Sequence, residues 1–302
     1  MSGPARRNYG PLYSSAMAIW LTVFFLFPLI IIVVYSFMKK GLYGGVDMGR
    51  FSLDAYRALA NPSFAVITVR TVLTSVAATF ITILAAMPCG YYMAKSRHQT
   101  ILLLLIIIPF WTNFLIRVFA WMNILGNNGF INDLLQRIGL IHDYIPFMYN
   151  QGTVVLVLVY MYLPYAILPL YSTIDKFDFS LLEAARDLGA GKAAAMIRIL
   201  FPNIRSGIYT AVLFTFIPIF GAYAVPLLVG GKDSYMLGNV VADQLTKARN
   251  WPLASAISLV LTAVTTIGII VMLILQKRDA ARFQGVKGAA EPGEGARRGG
   301  GA

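Results

Sequence analysis

Long runs of apolar residues recur along the chain and are separated by short polar segments. Six of these runs are long enough to cross a hydrocarbon core of about 30 Å. They cover about residues 14–38, 66–94, 100–121, 152–174, 206–229 and 252–276. A helix satisfies its own backbone hydrogen bonds in lipid, so this pattern predicts an all-α membrane protein with six transmembrane helices.

The first apolar run follows Arg6 and Arg7, an arrangement that is also found in signal peptides. The run from residue 16 to residue 37 is longer than the apolar region of a signal peptide, and two lysines follow it. No A-x-A cleavage site directly follows the run. We therefore expect an uncleaved span.

The distribution of Lys and Arg between the spans predicts the orientation. With six spans both termini lie on one side, and that side carries 15 of the 25 basic residues against 8 on the other. Arg70 and Arg117 lie inside spans. Basic residues accumulate in cytoplasmic loops, so we expect both termini in the cytoplasm.

The predicted domains are an N-terminal tail (1–13), a six-span domain (14–276) and a low-complexity, disordered tail (277–302).

Two short helices are predicted between the spans. One covers residues 53–60, after a possible cap at Ser52 and before Asn61 and a proline. The other covers residues 130–138, where apolar residues recur at helical spacing until Gly139. We expect this second helix to lie along the outer membrane surface.

The composition excludes an ordinary soluble domain. Hydrophobic residues make up 58% of the chain and charged residues 13%, whereas soluble domains carry roughly 25% charged residues. The net charge is +12, but the basic residues are scattered between apolar runs, which favours anionic lipid headgroups over nucleic acid as the partner. The single cysteine, Cys89, allows no disulfide within the chain.

Tests for common catalytic motifs give no site for a cofactor or a metal. The two histidines, His98 and His142, are predicted on opposite sides of the membrane, and no H-E-x-x-H is present. Residues 189–192 resemble the end of a phosphate-binding loop. However, Arg186 stands where the first glycine belongs, and Ala193 replaces the hydroxyl residue that holds magnesium. We expect no nucleotide site of that kind.

Asp175 and Asp178 form a D-x-x-D on the cytoplasmic side. In a membrane enzyme such a pair holds a magnesium diphosphate, but a second acidic motif is needed to complete the site. The alternative is that these acids cap or solvate the start of the following helix.

The cytoplasmic stretch of residues 180–202 has the strongest local pattern. Ser180 and Glu183 fit a capping box that starts a helix, and Gly189 fits the left-handed position after its end. A second helix is predicted from about Lys192 toward Pro202. One apolar face is predicted for the first helix, made of Leu181, Leu182, Ala185 and Leu188. Such a helix either docks into a groove of another protein or packs on its own membrane domain.

At these residues the sequence closely resembles the permease subunits of ABC importers, whose cytoplasmic loop follows E-A-A-x-x-x-G-x(9)-I-x-L-P. The matching residues are Glu183, Ala184, Ala185, Gly189, Ile199 and Pro202, with Phe201 in place of the leucine. The resemblance implies the type I ABC importer permease fold. It also implies a coupling loop at about residues 175–205 whose first helix seats in a cleft of a separate ATPase subunit, so this chain would not itself be an enzyme.

Other stretches are similar to the spermidine/putrescine-type permeases. They are residues 109–117 (PFWTNFLIR), 181–190 (LLEAARDLGA) and 238–240 before 250–252. Where such permeases often carry a carboxylate, residues 221–231 read GAYAVPLLVGG without an acid. The resemblance implies a polyamine substrate, and the departure leaves opines, amino-acid derivatives and other small solutes open. The implied partners are a second, related permease chain, two ATPase copies and an extracytoplasmic binding protein.

Polar and aromatic residues in the predicted outer halves of the later spans are candidates for contact with the solute. They are Trp111, Asn113, Arg117, Tyr160, Tyr223 and Asp243. Aromatic faces attract ammonium groups, although Tyr and Trp also occur at membrane interfaces without any such role. The rival class is a secondary transporter or channel, which would need intramembrane carboxylates or histidines for ion coupling.

Overall fold

The computed structural model describes residues 10–290, and these residues are mainly helical. In chain order the helices are α1 (residues 10–36), α2 (Asp54–Leu59), α3 (Pro62–Lys95), α4 (Gln99–Trp111), α5 (Phe114–Leu125), α6 (Phe130–Arg137), α7 (Gln151–Ile174), α8 (Ser180–Asp187), α9 (Lys192–Asn203), α10 (Arg205–Phe220), α11 (Ala224–Val229), α12 (Leu237–Thr246) and α13 (Trp251–Ala290). Two strands, β1 (Met38–Lys40) and β2 (Val46–Phe51), follow α1.

Four helices are long and apolar enough to cross a membrane: Met17–Ser36, Pro62–Lys95, Gln151–Ile174 and Trp251–Arg278. Two bent pairs raise the number to six if each pair is one span. The pair Gln99–Trp111 and Phe114–Arg137 is bent by 91°, and the pair Lys192–Asn203 and Arg205–Phe220 by 72°. The predicted helical membrane architecture is therefore confirmed, with four to six candidate spans among the described residues.

Several predicted boundaries are corrected. The third span does not run unbroken from 100 to 121, because Thr112 and Asn113 are extended and separate α4 from α5. The fifth ends at Phe220 instead of 229, and α11 is a separate short helix. The tail predicted to be disordered from residue 277 is helical as far as Ala290. Residues 1–9 and 291–302 of the predicted tails lie outside the described residues.

The strand pair was not predicted. β1 and β2 are antiparallel, with Lys40 opposite Val46 and a register shift between Met38 and Lys39. Phe37, just before β1, stacks on Phe51 with ring centroids 5.6 Å apart. Among the described residues, the all-α prediction therefore holds except for this small β-hairpin.

One compact unit comprises residues 10–68 and 237–263 among those described. Its core consists of Ala55, Leu237, Leu253, Ala256 and Ile257. The Ser36 hydroxyl lies 2.8 Å from the Tyr56 hydroxyl, which joins the end of α1 to α2.

The other compact unit comprises residues 69–236 and 264–290 among those described. Helix α7 contributes to both of its apolar clusters. Val154, Val157, Leu158 and Met161 belong to the first cluster, and Ala166, Ile167, Leu170 and Ile174 belong to the second. Helices α7 and α10 pack closely, since a Cβ added at Gly207 of α10 would lie 2.7 Å from the Thr173 Cβ. The N-terminal half of α7 therefore packs in the first apolar cluster, and its C-terminal half packs in the second.

Both predicted short helices are present. Helix α2 begins after Ser52, whose hydroxyl accepts a 3.0 Å hydrogen bond from the Asp54 amide. Helix α6 ends at Arg137 with Ile138 as its C-cap, and Gly139 has the left-handed φ of +75° that the glycine predicted.

Candidate coupling loop and translocation residues

The start of α8 differs from the predicted capping box. Ser180 is the first helical residue and not the cap, and no side-chain cap is made by the residue before it. Instead, Asp178 Oδ1 accepts a 3.0 Å hydrogen bond from the Ser180 amide. Hydrogen bonds from the Ser180 hydroxyl and amide hold the pKa of the exposed Asp178 carboxyl below its ordinary value. The alternative interpretation of Asp178, as the residue that caps this helix, matches the structure.

The end of α8 has the predicted geometry. Gly189 has a φ of +88°, which L-residues with side chains rarely adopt. The Gly189 amide donates to the Arg186 carbonyl at 2.9 Å, and the Ala190 amide donates to the Ala185 carbonyl at 3.0 Å. These two bonds form a Schellman motif, which stops the helix at a fixed place.

The predicted apolar face of α8 is only partly buried in this chain. Leu182 is buried and Ala185 half-buried, and both pack in the second cluster of the larger unit. Leu181, Ala184 and Leu188 are exposed, Leu188 by 89%. The buried part of α8 therefore anchors the helix to its own domain, and the exposed part is open for a partner.

A cavity of about 350 Å³ lies beside the anchored face. Its walls include Glu183 and Arg186 of α8, Lys95 of α3 and Phe179. The Lys95 ammonium lies 5.0 Å from the Phe179 ring centroid and 5.6 Å from that of Tyr91. These contacts hold the C-terminal end of α3 against the segment that leads into α8.

The remaining residues of the matched motif support α9. Ile199 is half-buried and packs in the same apolar cluster as Leu182. Pro202 is also half-buried, and its carbonyl accepts a 3.1 Å hydrogen bond from Arg205 Nε. Together with Ala185 they lie on the inner side of the loop. Glu183, Ala184 and Gly189 are exposed on its outer side.

The D-x-x-D pair is occupied by hydrogen bonds within the chain. Asp175 Oδ1 accepts from Gln99 Nε2 at 3.1 Å, and Asp178 accepts from Ser180. Among the residues that the structure describes, no group of three His, Cys, Asp or Glu is placed to hold a metal.

Three of the candidate translocation residues flank the break between α4 and α5. Trp111 ends α4 and is 83% exposed. The Asn113 side chain caps α5, because its Oδ1 accepts a 2.8 Å hydrogen bond from the Leu115 amide. Helix capping is thus an established structural role for Asn113.

Arg117 has an unusual environment one turn into α5. Its guanidinium carbon lies 4.3 Å from the ring centroid of Phe110. Nε and Nη1 are buried and find no hydrogen-bond acceptor among the described residues. The Phe110 ring contacts the edge of Tyr165 at 6.0 Å, and Tyr165 lies 5.7 Å from Tyr162. The Arg117 guanidinium therefore lies among aromatic rings, and two of its nitrogen donors have no hydrogen-bond acceptor among the described residues.

The other three candidates lie in separate places. The Tyr160 ring meets Trp121 edge to face at 5.3 Å. Tyr223 lies at the break between α10 and α11 and is 52% exposed. Asp243 belongs to α12, where its carboxylate is 2.8 Å from the Lys247 ammonium. Phe110, Trp121 and Tyr165 were missed as candidates, although Phe110 stands inside the 109–117 stretch.

Comparison with known families decides the class of protein. The family described as "Binding-protein-dependent transport system inner membrane component" matches residues 3–283. The chain belongs to this family. It is therefore a multi-pass inner-membrane component of a transport system, and the resemblance found in the 183–202 loop is confirmed.

Several curated relatives align with most of this permease. The spermidine/putrescine transport system permease protein PotB of Escherichia coli (strain K12) is 36% identical over 247 residues, which is 81% of this chain and 90% of the relative. PotB of Haemophilus influenzae is 35% identical over 256 residues, covering 83% and 88%. The inner membrane ABC transporter permease protein YdcU of Escherichia coli is 30% identical over 223 residues, covering 69% and 71%.

Solved structures show the same fold. A bacterial ABC transporter that imports the acidic polysaccharide alginate superposes with a TM-score of 0.69 at 15% identity, covering 90% of this chain and 96% of that one. The alginate transporter in complex with an alginate pentasaccharide-bound periplasmic protein gives a TM-score of 0.72 with the same coverage. The predicted importer permease fold is thereby confirmed.

Proposed function

We propose that this permease forms one half of the translocation pathway of an ATP-driven polyamine importer. The observation that carries the proposal is the alignment, over most of both chains, with permeases named for spermidine and putrescine. A related amine is included in the proposal, because residues 221–231 contain no carboxylate.

The exposed face of α8 supports coupling to a separate ATPase chain. Leu181, Ala184 and Leu188 form an apolar strip on a helix that Gly189 ends at a fixed point. An amphipathic helix of this kind fits a hydrophobic groove in a partner. ATP-driven closure of the ATPase pair would move α8 and, through it, the helices on which its inner face packs.

The proposed assembly has a second permease chain, two ATPase copies and an extracytoplasmic binding protein. One permease offers a single α8 and one wall of a pathway, whereas an ATP-sandwich motor has two halves. The excess of basic residues on the side of the termini supports a cytoplasmic location for the tails and the 175–205 loop, where ATP is available.

The proposed solute contacts are Trp111, Asn113, Arg117, Tyr160, Tyr223 and Asp243. Exposed aromatic faces such as those of Trp111 and Tyr223 attract ammonium groups, each contributing about 0.5–2 kcal/mol according to its desolvation. Asp243 is the acid of this set, and Lys247 neutralises part of its charge.

Opines, amino-acid derivatives and other small solutes are the alternative substrates of the same machinery. A secondary transporter or channel is the rival class, but neither the family nor the relatives favour it.

The test is uptake by the purified complex in proteoliposomes with labelled putrescine or spermidine outside and ATP inside, together with the mass of the intact complex. ATP-dependent uptake and a mass that contains two permeases and two ATPases are expected. Trp111→Ala and Asp243→Asn should each weaken uptake without changing assembly or basal ATP hydrolysis. Uptake by the permease alone, driven by an ion gradient, would contradict the assignment as an ATP-driven importer. If the binding protein captures only anionic or neutral solutes, the polyamine assignment is contradicted.

A further inference from the structure

Gln99, the first residue of α4, joins three elements through one side chain. Its Nε2 donates to Asp175 Oδ1 at 3.1 Å and to the Ala94 carbonyl at 3.2 Å. Its Oε1 accepts a 3.1 Å hydrogen bond from the Tyr171 hydroxyl. Ala94 lies at the end of α3, and Tyr171 and Asp175 lie at the end of α7. The amide group therefore closes the α3–α4 corner onto the beginning of the coupling loop.

A second contact runs parallel to this one. Lys95, four residues before Gln99, places its ammonium over the rings of Tyr91 and Phe179. The Tyr91 and Phe179 rings also meet edge to face, 6.0 Å apart. Phe179 immediately precedes α8. The corner of residues 95–99 is thus attached at both ends of the segment 175–179, which leads from α7 into α8.

We infer that Gln99 is a positioning residue that transmits the displacement of α8 into α4, and so to the break at Thr112 and Asn113. The inference rests on the proposed ATP-driven function. Helix α4 runs unbroken from Gln99 to Trp111, so a push at its first residue is carried along a rigid element. The bonds to Ala94 and Tyr171 are half-buried and the bond to Asp175 is exposed, and each fixes direction as well as distance, because both partners are oriented. Without the Gln99 bonds, α8 moves and α4 lags behind.

The direct test is Gln99→Leu in the assembled complex with its binding protein. Leucine has a similar size and cannot form any of the three bonds. We expect normal assembly and ATP hydrolysis that is retained or increased, with solute imported per ATP reduced by roughly three- to tenfold. Gln136→Leu is the matched control, since Gln136 makes one exposed bond, to the His142 carbonyl, and should import at the parental ratio.

A reversal of the hydrogen bond separates transmission from simple stability. Gln99→Glu places a carboxylate against the Asp175 carboxylate and should uncouple the complex as Gln99→Leu does. Adding Asp175→Asn supplies an amide at position 175 that donates to the carboxylate at position 99, and the import ratio should recover to at least half of the parental value. A purely structural role would not restore the ratio while leaving assembly unchanged.

Two results would overturn the inference: a parental import ratio in Gln99→Leu, or a double variant no better coupled than Gln99→Glu. If Gln99→Leu does not assemble, the comparison of Gln99→Glu with the double variant decides. The ratio is measured with the solute that the binding protein captures, so failure of the parent complex to import polyamines counts against the substrate proposal and not against Gln99.

Discussion

The Arg117 guanidinium stacks on the Phe110 ring across the break between α4 and α5, with its carbon 4.3 Å from the ring centroid. This contact holds a permanent positive charge beside the broken part of the third span. Its buried Nε and Nη1 groups have no hydrogen-bond acceptor among the described residues. A cation at this place repels a cationic solute and attracts an anionic one.

Replacing this charge should change selectivity. On the proposed contact between Arg117 and the solute, we expect the KM for putrescine uptake to fall by roughly three- to tenfold in Arg117→Gln, because a like charge is removed from beside the solute. The measurement is initial uptake rate against solute concentration in proteoliposomes. Arg70→Gln is the control, since Arg70 also lies inside a span predicted from the sequence. Equal KM values in the parent and Arg117→Gln would show that Arg117 only anchors the helix.

Gly189 and Gly191 allow a test of the helix end with a matched control two residues away. A Cβ at either position meets nothing within 4 Å, but φ is +88° at Gly189 and −64° at Gly191. Gly189→Val should therefore cost at least about 1–2 kcal/mol through backbone strain alone. We expect Gly189→Val to reduce ATPase capture in pull-down assays, whereas Gly191→Val should keep most of it. Equal capture by both variants would contradict a role for the helix end.

The end of α8 could be predicted from the sequence and its beginning could not. Glycine adopts the left-handed position more readily than residues with side chains, so a glycine after an amphipathic helix is a strong signal. At the beginning, Asp178 and Ser180 are both good caps, and local preference does not choose between them. The structure uses Asp178, because the chain enters the helix one turn after α7 ends.

Helical spacing also did not identify which apolar residues of α8 are buried in this chain. Leu181 and Leu182 are neighbours in sequence, and only packing against Leu200 and Ile204 in the same cluster identifies Leu182 as the buried one. The break at Thr112 was missed for a similar reason, since hydropathy records polarity and not the direction of the backbone. The six apolar runs were recognisable because membrane thickness fixes their length.

Leucine-to-alanine substitutions at an exposed and at a buried position of α8 should have different effects. Leu188→Ala changes a side chain that is 89% exposed and should weaken ATPase binding with little effect on the stability of the permease. Leu182→Ala removes a side chain that is 8% exposed and should destabilise the loop by about 2–5 kcal/mol. Thermal unfolding of the isolated permease and ATPase pull-down measure the two effects separately. A Leu188→Ala variant that binds the ATPase normally would exclude this face as the docking surface.

Asp178 predicts a pH dependence at the start of α8. Its pKa is lowered in the folded chain by the Ser180 hydrogen bonds, so its contribution is complete above the ordinary carboxyl pKa and is lost as the pH falls through the lowered value. At neutral pH, Asp178→Ala should make amide exchange at Ser180 roughly two- to tenfold faster. Asp178→Asn should show a smaller change, because its oxygen still accepts from the amide. A difference between the parent and Asp178→Ala that persists in acid would contradict the assigned cap.

Asn113 provides the last test, which separates helix capping from solute contact. Its Oδ1 accepts from the Leu115 amide, and loss of such a cap costs about 0.5–2 kcal/mol. Serine caps nearly as well as asparagine but is shorter and lacks the amide group. If capping is the main role, Asn113→Ser should import at close to the parental rate, whereas Asn113→Ala should lose stability and uptake together. If the Asn113 amide binds solute, Asn113→Ser should instead raise the KM while the thermal stability of the complex stays at the parental value. Measuring KM and stability together therefore distinguishes helix capping from solute contact at Asn113.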